Sequence, residues 1–144
     1  MRVALDAALE ACAVGEVPIG ACIVSEDGDL LATGYNRTIT DCDPTAHAEI
    51  VAIRNAASRI ENYRLNGLTV YTTLEPCAMC AGALVTARVN RVVFGAHDER
   101  FGGVDTHFGI GKGSELNHRI EFVTGILADE SRELLRNFFR AKRK

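Results

Sequence analysis

Pro44-Thr45-Ala46-His47-Ala48-Glu49 and Glu75-Pro76-Cys77-Ala78-Met79-Cys80 are the two stretches on which the reading of this chain turns. Each stands where a polar loop or a short strand gives way to apolar residues at helical spacing, so each predicts a helix N-terminus. Pro44 suits the first position of a helix, with Asp43 as its N-cap and Ala46, Ile50, Ile53 and Ala57 along one face to about Ile60. Pro76 opens a second helix reaching about Thr86. Cys77 and Cys80 are three apart, which on one helix puts both sulfurs on the same face. The positive end of the helix dipole lowers thiol pKa values, and zinc binds the thiolate. His47 offers a neutral nitrogen as third ligand. Three protein ligands leave a fourth tetrahedral position for water, the arrangement of a catalytic rather than a structural Zn2+ site. Glu49, two residues from His47, is the carboxylate placed to move protons to and from that water.

Around these stretches the chain predicts alternating elements. Residues 2–14 carry Leu5, Leu9 and Cys12 with Ala4, Ala8 and Ala11 at helical spacing, and Gly15 follows as a stop. Ile19–Ser25 and Leu30–Tyr35 flank the turn Glu26-Asp27-Gly28-Asp29 as a hairpin. Thr38–Pro44 reads as loop, Leu68–Thr73 and Arg91–Ala96 as strands, Ile120–Val123 as a last strand and Asp129–Ala141 as a closing amphipathic helix. Residues 100–118, with Gly102, Gly103, Gly109, Gly111 and Gly113, predict a long irregular lobe, which at that length is more often functional than idle. A hairpin followed by βα units indicates an α/β three-layer arrangement around a mixed sheet. No repeat, low-complexity block or linker interrupts the 144 residues, so 1–144 is expected to be a single domain.

Composition excludes several classes. There is no run of 18 apolar residues and no basic-then-apolar leader pattern, so membrane spanning and export lack support and a cytoplasmic location is the default. The five cysteines, at 12, 22, 42, 77 and 80, are odd in number, which argues against a disulfide framework. Cys12 and Cys22 fall on apolar faces as small core residues. Cys42, in the polar loop before His47, is the alternative fourth ligand; a closed Cys3His site would leave Glu49 idle and suit a non-catalytic zinc RNA-binding module. The net charge of −3 conceals an asymmetry: Arg136–Lys144 holds five of the 16 basic residues and no acid. Phe138 and Phe139 are adjacent, so one ring must face outward beside that basic run.

The H-x-E and P-C-x-x-C pair is the signature of zinc deaminases that act on nucleobases, and the flanking pieces narrow the likeness. Glu16-Val17-Pro18-Ile19-Gly20, Gly34-Tyr35-Asn36-Arg37, Asn62-Tyr63-Arg64-Leu65, Arg91 to Ala96, Asn117-His118-Arg119, Gly125 to Glu130 and Phe138-Phe139-Arg140 resemble the bacterial tRNA-specific adenosine deaminases from about residue 2 to the C-terminus. The resemblance implies a cytidine deaminase-like α/β/α fold with a mixed five-stranded sheet, and hydrolysis of adenosine to inosine at the wobble position of a tRNA anticodon. It implies zinc on His47, Cys77 and Cys80 with Glu49 as catalytic residue, and a homodimer whose partner helps build the site. It further implies substrate contacts at Asn36, Val17, Pro18, Ile19, Ala48 and Asp98, and an anticodon-loop contact by Phe138, Phe139, Arg140 and the basic tail. A free nucleobase or nucleoside deaminase of the guanine or cytosine type is the alternative that shares the metal motif. The chain departs from the family pattern twice. Residues 104–113 lack the usual Gly-Ser-Leu stretch and short helix, and Met1–Leu5 aligns with the middle of the relatives' first helix, an expectation that the native chain starts upstream.

Overall fold

A computed structural model describes residues 1–144 as a five-stranded mixed sheet covered by helices on both faces. The elements are α1 (Arg2–Ala13), β1 (Gly20–Val24), β2 (Leu30–Tyr35), α2 (Ala48–Ile60), β3 (Thr69–Leu74), α3 (Ala78–Ala87), β4 (Arg91–Ala96), β5 (Glu121–Thr124) and α4 (Ala128–Lys142). The sheet order is β2-β1-β3-β4-β5. The hairpin β1–β2 and the pair β1–β3 are antiparallel, whereas β3–β4 and β4–β5 are parallel. All nine elements follow the sequence-based expectation to within a few residues, and the three-layer α/β/α architecture is as expected.

Alternation along the strands divides the core. Ala21, Ile23, Ala32, Val70 and Val92 face α2 and α3 with Ala48, Ala52, Ala56, Leu84 and Val85. Cys22 and Gly20 face the other layer, where α1 brings Ala4, Ala7, Ala8 and Ala11, all buried. This helix lies so close to the sheet that a Cβ on Gly20 would overlap the Ala4 carbonyl. On the opposite face a Cβ on Gly34 would stand 2.6 Å from both the Ala48 carbonyl oxygen and the Ala52 nitrogen, so glycine is what lets α2 descend onto β2.

Two helix starts differ from the sequence reading. Pro44 and Pro76 do not occupy the first helical positions; α2 begins at Ala48 and α3 at Ala78. The N-caps are His47 and Cys77, both with extended backbone (φ −70°, ψ 157° and φ −70°, ψ 174°). Asp43 instead closes a local turn, its Oδ1 accepting from the Thr45 N–H and hydroxyl. Pro44 lies instead in a turn closed by the Ala46 N–H on the Asp43 carbonyl, and Pro76 directly precedes the capping Cys77.

The lobe at 100–118 has no regular element yet contains buried Gly102, Gly103 and Val104. No helix is long and apolar enough to cross a membrane.

Candidate active site

Parallel strands β3 and β4 end on the same edge of the sheet, and the N-termini of α2 and α3 start there. That edge is where open α/β sheets form binding crevices. The four elements deliver His47, Glu49, Cys77 and Cys80 to one spot. His47 Nδ1 lies 3.6 Å from Cys77 Sγ and 3.5 Å from Cys80 Sγ, and the three ligand atoms all fall within 4.8 Å of one another. Tetrahedral zinc with Zn–S ~2.3 Å and Zn–N ~2.0 Å would hold sulfur and nitrogen ~3.5 Å apart. The donor set therefore fits zinc in both chemistry and spacing. Cys77 is not on the helix as the spacing suggested. It caps it, and its side chain meets Cys80 in the first turn because a capping side chain folds back over that turn. The Cys77 thiol is drawn down to about 4, first by the hydrogen bond from Cys80 and then by that with His47. The same bond to Cys77, together with burial, pushes the Cys80 thiol up. Both sulfurs lie at the N-terminus of α3, beside that of α2, where the positive helix ends favour the thiolate form that zinc binds.

Glu49, in the first turn of α2, is buried, and its Oε1 accepts from the Thr72 hydroxyl at 3.4 Å. Burial pushes its carboxyl above the usual range.

A cleft of about 830 Å³ opens over these residues. Its wall includes Val17, Ile19, Asn36 and Asp98, four of the residues for which the resemblance implied substrate contacts, together with His97 and Phe101. Pro18 and Ala48 stand behind the wall, both fully buried. The Ala48 N–H nevertheless sets the site: it donates to Asn36 Oδ1 at 3.0 Å, which leaves the Asn36 Nδ2 donor without a protein acceptor at the cleft. Asp98 Oδ1 accepts from the N–H groups of Arg100 and Phe101, closing the turn at the mouth.

Of the aromatic pair on α4, only Phe139 reaches the cleft, at 45% exposure; Phe138 is half-buried with the Lys142 ammonium over its ring, and Arg140 points elsewhere. Arg132, Leu135 and Arg136 share the cleft-facing stripe of α4 with Phe139. Sequence reasoning missed Arg132 and Leu135 and named Arg136 only as part of the basic tail, although the i, i+3, i+4, i+7 spacing of the four is the signal that groups them.

Cys42 is exposed, with its Sγ turned to the Ile39 carbonyl, and lies outside the ligand group, as do His97, His107 and His118. The three-ligand site has no fourth protein donor. The irregular lobe joins the cleft through Asp105, which accepts from Lys112 and bonds His97 Nε2 at 2.9 Å.

Known proteins resemble this chain. Residues 1–96 match the cytidine and deoxycytidylate deaminase zinc-binding region. The tRNA-specific adenosine deaminase of Haemophilus influenzae is 46% identical over 143 residues, 99% of this chain and 83% of that protein. A structure solved in biochemical and structural studies of A-to-I editing by tRNA:A34 deaminases at the wobble position of transfer RNA superposes with a TM-score of 0.90. It is 41% identical, with 94% of this chain and 97% of that one covered. The guanine deaminase from Nitrosomonas europaea is more distant, at 26% identity and a TM-score of 0.79 over 95% of this chain and 81% of that one.

Proposed function

The chain belongs to the zinc-binding cytidine and deoxycytidylate deaminases and, within them, to the tRNA-specific adenosine deaminases, and from that premise we propose that it hydrolyses adenosine to inosine at the wobble position of a tRNA anticodon. The observation that carries the substrate is the composition of the cleft. The same cleft is lined by His47, Cys77 and Glu49 and by Arg132, Arg136 and Phe139 of α4, cationic and aromatic groups for which a free base has little use. Exposed aromatic rings beside guanidinium groups are the means by which unpaired RNA is stacked and its phosphates are held.

In this reading His47, Cys77 and Cys80 hold zinc. Bound there, the metal supplies a Lewis acid that lowers the pKa of water from ~16 to ~7. Glu49 takes a proton from the attacking water and delivers it to a ring nitrogen of the adenine. It then passes the second proton to the amino group, which leaves as ammonia. Asn36 Nδ2 donates to an acceptor on the purine, Val17 and Ile19 pack its face, and Asp98 lies at the sugar. The anticodon loop already presents its bases unpaired, so flipping the target costs little.

The exposed apolar side chains Met79, Phe101 and Phe108, 38%, 64% and 82% accessible, rim a second hollow at Cys77, and they support a homodimer that covers this side of the site. The setting is the cytoplasm, where tRNA is found.

The test is to incubate the zinc-loaded protein with anticodon stem-loops, free adenosine, guanine and cytosine. Exchange of amino for oxo is followed by mass. Reaction of an adenosine in a stem-loop, with free bases inert, is the expected result. Turnover of free guanine with stem-loops inert would move the chain to the nucleobase deaminases.

A further inference from the structure

Glu75 is a buried carboxylate that the chemistry above leaves without a task. It follows β3, two residues before Cys77, and both of its oxygens are taken by one segment of chain. Oε1 accepts from the Asp98 N–H at 3.1 Å and the Thr106 hydroxyl at 2.6 Å. Oε2 accepts from the N–H groups of Val104, Asp105 and Thr106 at 3.1, 2.9 and 3.0 Å. All five donors lie within residues 98–106, which form no helix or strand of their own. Buried backbone donors need acceptors, and here one ionised side chain replaces a whole ladder.

The same segment is also held to the metal helix. The Gly103 N–H donates to the Pro76 carbonyl at 2.8 Å, and Gly102 pairs with Cys77 as an isolated antiparallel bridge. A Cβ on Gly102 would overlap the Glu75 carboxyl, and one on Gly103 would stand 2.7 Å from the Ala78 nitrogen. The close approach therefore needs both glycines. The outer side of this segment and the residue before it supply His97, Asp98, Arg100 and Phe101 to the cleft.

We propose that Glu75 is a positioning residue: by gathering the backbone of residues 98–106 onto the entry to α3, it sets the cleft wall at the level of the ligand cluster and thereby tunes how the substrate is held. The identity of the substrate rests on the function proposed above; the pinning does not. A carboxylate is needed because it offers acceptors on both oxygens and no donor. Glutamine would turn an NH2 group toward at least two N–H or O–H donors.

The experiment compares Glu75→Gln and Thr106→Val with the wild type, all zinc-loaded, by amide hydrogen exchange and by steady-state kinetics on an anticodon stem-loop. Thr106→Val removes a single donor and serves should Glu75→Gln not fold. Expected for Glu75→Gln is unchanged zinc stoichiometry, exchange about tenfold faster at residues 98 and 104–106, and a KM raised about tenfold with kcat little altered. Thr106→Val moves both readouts the same way by less. Exchange that is unchanged in 98–106, or faster uniformly across all elements, overturns the proposal, as does a fall in kcat at constant KM. If the wild type leaves the stem-loop untouched, the substrate reading fails while the exchange comparison still decides the pinning.

Discussion

Glu49 is useful because of what surrounds it: the Thr72 hydroxyl on one oxygen, burial of the whole side chain, and the ligand cluster beside it. General acid–base catalysis is worth ~10²–10⁴-fold, so Glu49→Gln is expected to slow single-turnover deamination by about that factor while metal analysis still finds the zinc. Loss of zinc in the variant would make Glu49 a support of the metal site instead. Glu16 illustrates the other use of a buried carboxylate. Burial pushes it up, but hydrogen bonds from Thr40, Ile39 and Thr38 outweigh burial and hold its carboxyl below the usual range. A depressed folded-state pKa contributes stability that is present above the unfolded value near 4.5 and lost as pH falls through the folded one. Glu16→Gln is therefore less stable than wild type at pH 7, and the difference measured by urea unfolding shrinks below about pH 4. A constant difference across that range would show that Glu16 acts by packing alone.

Among the elements, α2 matters most to the site because it carries Glu49 and is capped by His47. Its seat is Gly34, where an added Cβ meets helix backbone rather than a movable side chain. Gly34→Ala is expected to cost ~1–3 kcal/mol, the usual range for overpacking, and to weaken zinc binding because His47 shifts with the helix. Urea midpoints and a chelator competition read the two effects; full stability with full zinc affinity would mean that the sheet yields instead. The α4 helix has a different role. Of its stripe of Arg132, Leu135, Arg136 and Phe139, the first two were hidden in the sequence behind the more conspicuous basic tail, since a charged residue on an amphipathic helix looks the same whether it faces solvent or a cleft. The tail drew attention to Phe138 and Arg140, but a helix turns 100° per residue and only Phe139 of the three lies on the cleft side.

At the scale of the whole molecule, zinc and RNA act through charge and connectivity. The ligands tie α2 to α3 on one face of the sheet, so removing zinc is expected to lower the thermal midpoint and re-adding it to restore it; calorimetry with and without chelator checks this. Arg136→Gln should reduce the slope of log KM against log salt by ~0.7, the single-strand value for one lost phosphate contact. An unchanged slope would take Arg136 out of the RNA path. Local pattern was enough to determine the chemistry and the order of elements. Ligand types, their spacing, the strand alternation and the helix periodicities are properties of neighbouring residues, so His47, Glu49, Cys77, Cys80 and the nine elements were all legible. Long-range placement was not. Strand order, the capping positions of His47 and Cys77, the cleft stripe of α4 and the five bonds that Glu75 makes to residues 98–106 depend on which distant segments meet. Only the folded chain decides that, because those contacts are settled by packing and by hydrogen-bond satisfaction across the whole core rather than by the residues alongside.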